Sequence, residues 1–191
     1  GDRDITGLSA SARAKTGIGR AFQLTNLFPQ LSVLENVRLA VQAQHGLGPV
    51  IFRRARSFGK LRDEAYSFLE ATRLAGVAAQ PVSALSHGDQ RKLEIALLLA
   101  LKPDIFMFDE PTAGMSVDEA PVILELIEEI RKDKAKTILL VEHKMDVVRS
   151  LADRIVVLHN GALVADGLPN EVIALPLVRE IYLGMPEESA A

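Results

Sequence analysis

Two hydrophobic periods divide the chain. Leu34, Val37 and Val41 recur three and four positions apart with Ala40 beside them, which predicts a helix over residues 32–44. Ser32 and Glu35 have the spacing of a capping box at its start. Gly46, Gly48 and Pro49 break the pattern, and the basic run Arg53-Arg54-Ala55-Arg56 lies inside a break that extends to residue 59. From Leu61 to Leu74 the helical period returns, with Leu61, Ala65, Phe68, Leu69 and Thr72 on one face. Residues 25–100 therefore read as mainly helical, preceded by a polar stretch that ends in a short strand at Ile18–Gln23.

The second half reads differently. Ile105-Phe106-Met107-Phe108, Thr137–Val141 and Ile155–Leu158 are continuous apolar runs, the pattern of strands buried on both faces of a parallel sheet. Helical patterns over Pro121–Arg131 and Met145–Leu151 separate them, so the expected class is α/β. Asn160-Gly161 predicts a hairpin turn into a strand over Ala162–Ala165, and two short helices flank Pro176 before a polar, fraying end at Glu187–Ala191.

Composition narrows the setting. The 191 residues are 48% hydrophobic and 25% charged, ordinary for a globular protein with a sizeable core. A net charge of −3 gives no electrostatic case for nucleic acid. There is no cysteine, which excludes disulfides and thiolate metal sites. No run approaches the roughly 18 to 20 apolar residues of a membrane span, so a membrane role is expected only through partners. Gly1-Asp2-Arg3-Asp4 does not resemble a signal peptide.

Four places carry candidate chemistry. Ile105–Phe108 ends in Asp109-Glu110, two acids at the carboxyl end of a strand, where open α/β sheets bind ligands. Asp109 there is suited to Mg²⁺, and Glu110 to polarising a water for attack on a phosphate; alone, the pair also reads as a turn before Pro111. Leu85-Ser86-His87-Gly88-Asp89-Gln90 precedes a helix predicted from Arg91 to Leu101. Ser86 and Asp89 suffice as a plain cap, while a hydroxyl, a glycine and free N–H groups at a helix start also suit an anion. Val141-Glu142-His143 ends another strand, and Phe22-Gln23 stands alone; a His or Gln by itself is ordinarily a structural or surface residue.

Taken in order, these residues resemble the nucleotide-binding domain of ABC transporters, over essentially the whole chain. Gln23 matches that family's Gln loop, Leu85–Gln90 its signature, Phe106–Glu110 its Walker B strand with the catalytic Glu, and His143 its switch His; Asp109-Glu110-Pro111-Thr112-Ala113-Gly114-Met115 is the most specific string. Within the family the chain is most similar to ATPases of branched-chain amino acid importers, through Asp4–Leu8, Gly19–Gln23, Leu27-Phe28, Ser32–Val37, Leu93–Ala96 and Val178–Gly184. Urea-importer and lipopolysaccharide-export ATPases share parts of that ending.

The resemblance implies a P-loop NTPase-like core with a mostly parallel sheet, a helical subdomain inserted at 25–100, and the second part of the core with C-terminal helices at 101–191. It implies ATP and Mg²⁺: Ser86, His87, Gly88 and Gln90 on nucleotide, Asp109 and Gln23 on the metal, and Glu110, His143 and Gln23 in hydrolysis. It implies a second ATPase subunit, identical or not, and transmembrane permease subunits, which place the protein in the cytoplasm at the inner face of the membrane. No G-x-x-x-x-G-K-[ST] occurs, however, so the expectation is a member without its N-terminal part and Walker A loop. The adenine-stacking aromatic would go with that part. The alternative is a nucleotide-blind interaction module. His87 and Asp89 stand where the signature usually has Gly and Gln, and Ser116 where the following loop often has Asp. Asp89 adds a charge unfavourable to phosphate unless it points away.

Overall fold

The computed structural model describes residues 4–21, 27–47 and 55–183, so Phe22, Gln23 and the polar end at 187–191 lie outside the described residues. The chain forms two compact units, residues 1–139 and 140–191.

The first unit holds α1 (Ala10–Ala14), β1 (Ile18–Arg20), α2 (Val33–Gln44), α3 (Ala55–Ala71), α4 (His87–Ala100), β2 (Ile105–Asp109) and α5 (Ala120–Lys132), and ends within β3 (Thr137–Val141). The helical period places α2 as expected: Val33, Val37 and Val41 are fully buried against Leu69 of α3 and Leu93 of α4. Each such side chain removed from water contributes about 1.5–3 kcal/mol. Ser32 caps α2 by accepting from Glu35 N at 3.1 Å, but the Glu35 carboxylate turns to Arg38 Nε at 2.8 Å, so the cap is not the reciprocal box. Buried Asn36 fixes the entry to α2, accepting from Phe28 N at 2.8 Å and donating to Phe28 O at 3.1 Å.

Two helix starts differ from the sequence expectation. Helix α3 begins at Ala55, inside the region read as a break. One interior glycine, Gly59, costs only about 1 kcal/mol, less than the packed face of Leu61, Ala65 and Leu69 provides. Helix α4 begins at His87 rather than Arg91, because Ser86 supplies the cap.

Strands β1 and β2 pair in parallel, Gly19 opposite Phe106, in a sheet of order β1-β2-β3. A Cβ on Gly19 would lie 2.5 Å from Leu98 Cδ1 and 2.7 Å from Pro103 Cγ, so β1 is laid directly on α4 and only glycine fits. Phe106 and Phe108 anchor β2 in the interior.

The second unit contains α6 (Met145–Leu151), β4 (Ile155–His159), β5 (Ala162–Gly167), α7 (Pro169–Ala174) and α8 (Pro176–Leu183). Asn160-Gly161 makes the turn with φ of 49° and 77°, and β4 pairs antiparallel with β5. Ile155, Val157 and Ala165 pack inward on Val172 and Val178. This corrects the reading of β4 as a strand buried on both faces of a parallel sheet. Only one face of the hairpin meets helices, so its alternate residues Val156, Leu158 and Leu163 are exposed. In β3, too, Leu139 and Val141 are exposed. Among the described residues, no helix is long and apolar enough to cross a membrane.

Candidate functional site

Strand β2 carries Asp109 and Glu110 to its carboxyl end as the sequence predicts. Asp109 is half-buried, with Oδ2 3.2 Å from Nη2 of the exposed Arg20, which stands opposite Met107 on β1. Glu110 then takes a left-handed backbone, φ 46°. That region costs a residue with a Cβ about 1–2 kcal/mol, so the surroundings must hold it.

Arg91 does so from the second turn of α4. It is buried, and its guanidinium spans three successive carbonyls: Nη2 donates to Asp109 O at 3.0 Å and Glu110 O at 3.2 Å, and Nε to Pro111 O at 3.4 Å. Nη1 donates to Oε2 of equally buried Glu94 at 2.7 Å. Burial raises the Glu94 pKa, and the positive charge of Arg91, then its hydrogen bond, pulls it back. On the far side of the turn, Ala113 N donates to Glu110 O at 3.0 Å.

The first turn of α4 is the Ser86–Gln90 segment. Ser86 Oγ accepts from Asp89 N at 3.1 Å, the capping role, while Ser86 and His87 are exposed. Asp89 does turn aside, with Oδ1 3.0 Å from Lys92 Nζ, and Gln90 Nε2 donates to Leu85 O at 3.2 Å. The loop after β2 lies against this turn. A Cβ on Gly114 would sit 3.7 Å from the His87 ring, and one on Gly88 would sit 2.1 Å from Glu119 Oε1. The Glu119 carboxylate is tied down on its other side, Oε2 accepting from Ser116 N at 3.2 Å and Ser116 Oγ at 3.0 Å.

His143 stands in the second unit, exposed just past β3, its backbone N donating to Glu142 Oε2 at 3.2 Å. Glu142 also accepts from Lys144 N at 3.4 Å and its side chain is buried, so it shapes the turn that carries His143. Gln23 lies outside the described residues. Thus Ser86, His87, Gly88, Gln90, Asp109 and Glu110 belong to one unit, joined through Arg91.

Among the described residues, no group of three or more His, Asp or Glu is arranged as a metal cage. Mg²⁺ does not need one: it is ordinarily held by one or two carboxylates together with phosphate oxygens and waters. Asp109, partly open at a strand end, fits as such a single ligand, provided Arg20 yields its oxygen.

Sequence reasoning missed Arg91, Glu94 and Glu119. Each left a signal. Arg91 and Glu94 fall on the same helical stripe as Ile95 and Leu98, and charges three apart on an apolar face mark a buried pair. Ser116 and Glu119 have capping-box spacing.

Residues 2–113 match the ABC transporter family profile. The high-affinity branched-chain amino acid transport ATP-binding protein LivG of Salmonella typhimurium is 38% identical over 190 residues, covering 96% of this chain and 74% of LivG. BraF of Pseudomonas aeruginosa, described in the same words, is 36% identical over 189 residues, covering 95% and 73%. A crystal structure of an ATP-binding cassette of an ABC transporter in its ADP conformation superimposes with a TM-score of 0.74 at 26% identity, covering 96% of this chain and 74% of that one. A strand that ends in Asp-Glu, a Ser-capped helix whose first turn meets the following loop, and agreement over nearly the whole length have one common explanation: the chain belongs to the ABC transporter family of ATP-binding proteins.

Proposed function

We propose that this chain serves as the ATP-hydrolysing subunit of an importer for branched-chain amino acids. The observation that carries the reading is the acidic pair at the end of β2, with Glu110 held left-handed, set against the helix whose first turn bears Ser86–Gly88. In this reading residues 25–100 act as a helical subdomain inserted in an α/β core that residues 101–191 continue. Glu110 orients or deprotonates the attacking water, Asp109 and Gln23 serve Mg²⁺, and His143 contacts the terminal phosphate. Ser86, His87, Gly88 and Gln90 complete the nucleotide pocket of a second ATPase subunit. The segment 23–28 meets permease subunits, which bring the protein to the cytoplasmic face of the membrane. The substrate class rests on LivG and BraF alone, since an ATPase subunit does not touch the cargo. Urea, or other amino acids and amides, are the alternative cargoes.

In a transporter reconstituted with partner subunits, Glu110→Gln is expected to retain ATP binding and to lower kcat by about 10²-fold or more. Turnover like that of wild type would remove Glu110 from the mechanism. One feature favours a second reading: the 191 residues hold no G-x-x-x-x-G-K-[ST] run, whose backbone and Lys grip phosphates. In that reading the chain is nucleotide-blind and offers Ser86–Gly88 only in trans. Calorimetry of ATP against the chain alone separates the two, since saturable binding excludes the blind module.

A further inference from the structure

We propose that Arg91 is a positioning residue for hydrolysis, fixing the turn that aims Glu110; this rests on the role given to Glu110 above. The guanidinium is spent on backbone, not on a surface charge. Its donors reach the carbonyls of Asp109, Glu110 and Pro111 at 3.0, 3.2 and 3.4 Å, the two peptide units that flank Glu110 and the next one along. Glu94, one turn further along α4, accepts its remaining arm at 2.7 Å and sets the plane of the fork. Both side chains are more than nine-tenths buried, so water cannot substitute for either. Glu110 is non-glycine at φ 46° and relaxes to ordinary backbone unless its flanking carbonyls are held.

The clamp also has a direction. Arg91 lies only a few residues after Ser86–Gly88 on one rigid helix, so a shift of that first turn reaches Glu110 through three hydrogen bonds. Lysine cannot reproduce the effect, since an ammonium lacks the planar fork that meets successive carbonyls from one side.

The test uses Arg91→Lys and Glu94→Gln in the reconstituted transporter, with Glu110→Gln as reference. Arg91→Lys is expected to lower kcat about 10- to 100-fold with KM for ATP unchanged, the pattern of an interaction used only in the transition state. Hydrogen exchange without nucleotide is expected to speed up at the Ala113 amide, which donates to Glu110 O. Glu94→Gln, which keeps the Arg, is expected to shift both readouts the same way but less. A purely structural Arg91 would instead lower the melting temperature and the active fraction, leaving kcat per folded molecule unchanged. Should Arg91→Lys fold poorly, the same two readouts on Glu94→Gln decide. Normal kcat in a folded Arg91→Lys, beside an inactive Glu110→Gln, overturns the proposal. If Glu110→Gln is itself active, the reading of Glu110 fails, and unchanged exchange at Ala113 in Arg91→Lys then shows that Arg91 does not hold the turn either.

Discussion

Gly88 has no room for a side chain. A Cβ would stand 2.1 Å from Glu119 Oε1 and 2.4 Å from its Cδ, well inside contact distance. A carboxylate at the end of a free side chain would swing away at little cost, but this one is held by Ser116 N and Oγ. Gly88→Ala must therefore displace Glu119 and break its hydrogen bonds from Ser116 N and Oγ, or tilt the first turn of α4. Each hydrogen bond lost there costs about 0.5–1.5 kcal/mol. The clash and those hydrogen bonds share one carboxylate, so the two positions should be coupled. Gly88→Ala is expected to destabilise by about 1–2 kcal/mol in the wild-type background and by clearly less in Glu119→Ala, measured by urea denaturation. Equal costs in both backgrounds would mean that the two residues do not meet.

Between elements, one acid joins three helices. Glu64 of α3 accepts from Lys102, just past α4, at 2.7 Å, and lies 2.8 Å from the ring of His45 at the end of α2. The hydrogen bond from Lys102, then that from His45, lowers the Glu64 pKa from its ordinary 4.5. The folded state thus favours the ionised acid, so its contribution to stability is fully present above pH 4.5 and lost as pH falls through the lower folded value. The gap in melting temperature between wild type and Glu64→Gln is expected to be widest near neutrality and to close on acidification below pH 4.5. A gap that stays constant through that range would show that Glu64 acts by packing and not by charge. These elements were largely legible beforehand. The periods of 34–41 and 61–72 identified α2 and α3, because a helix that buries one face must repeat near 3.6. The starts of α3 and α4 were not legible, since tolerance of Gly59 and capping by Ser86 depend on packing and local hydrogen bonds. The site was legible where a residue type states its chemistry, at Asp109 and Glu110. It was not legible in what Arg91 and Glu119 do across the site: Arg91 reaches backbone carbonyls 18 to 20 residues away, which carry no residue identity, and Glu119 faces a glycine on another helix.

For the whole molecule, the apolar face left open by the hairpin is the main consequence of the strand reading that failed. Leu158 and Leu163 are cross-strand partners, and both point away from the core of Val157, Ala165, Val172 and Val178. They are 61% and 62% exposed, with Val156 at 54% beside them. Paired leucines facing water on a two-stranded sheet form a contiguous patch, and such patches are ordinarily covered by another surface. The rest of the hairpin is well secured: Arg154 pairs with Asp166 at 2.6 Å, and Tyr182 Oη donates to Leu158 O at 2.9 Å. The patch can therefore drive association without the hairpin unfolding. The chain by itself is expected to self-associate as concentration rises, seen as growing mass in light scattering. Leu158→Lys with Leu163→Lys should reduce that growth while leaving the inward core and the melting temperature nearly unchanged, because both side chains replace exposed atoms. A monomer at every concentration would show that the leucines are tolerated in water, and association that persists undiminished in the double variant would place the sticky surface elsewhere.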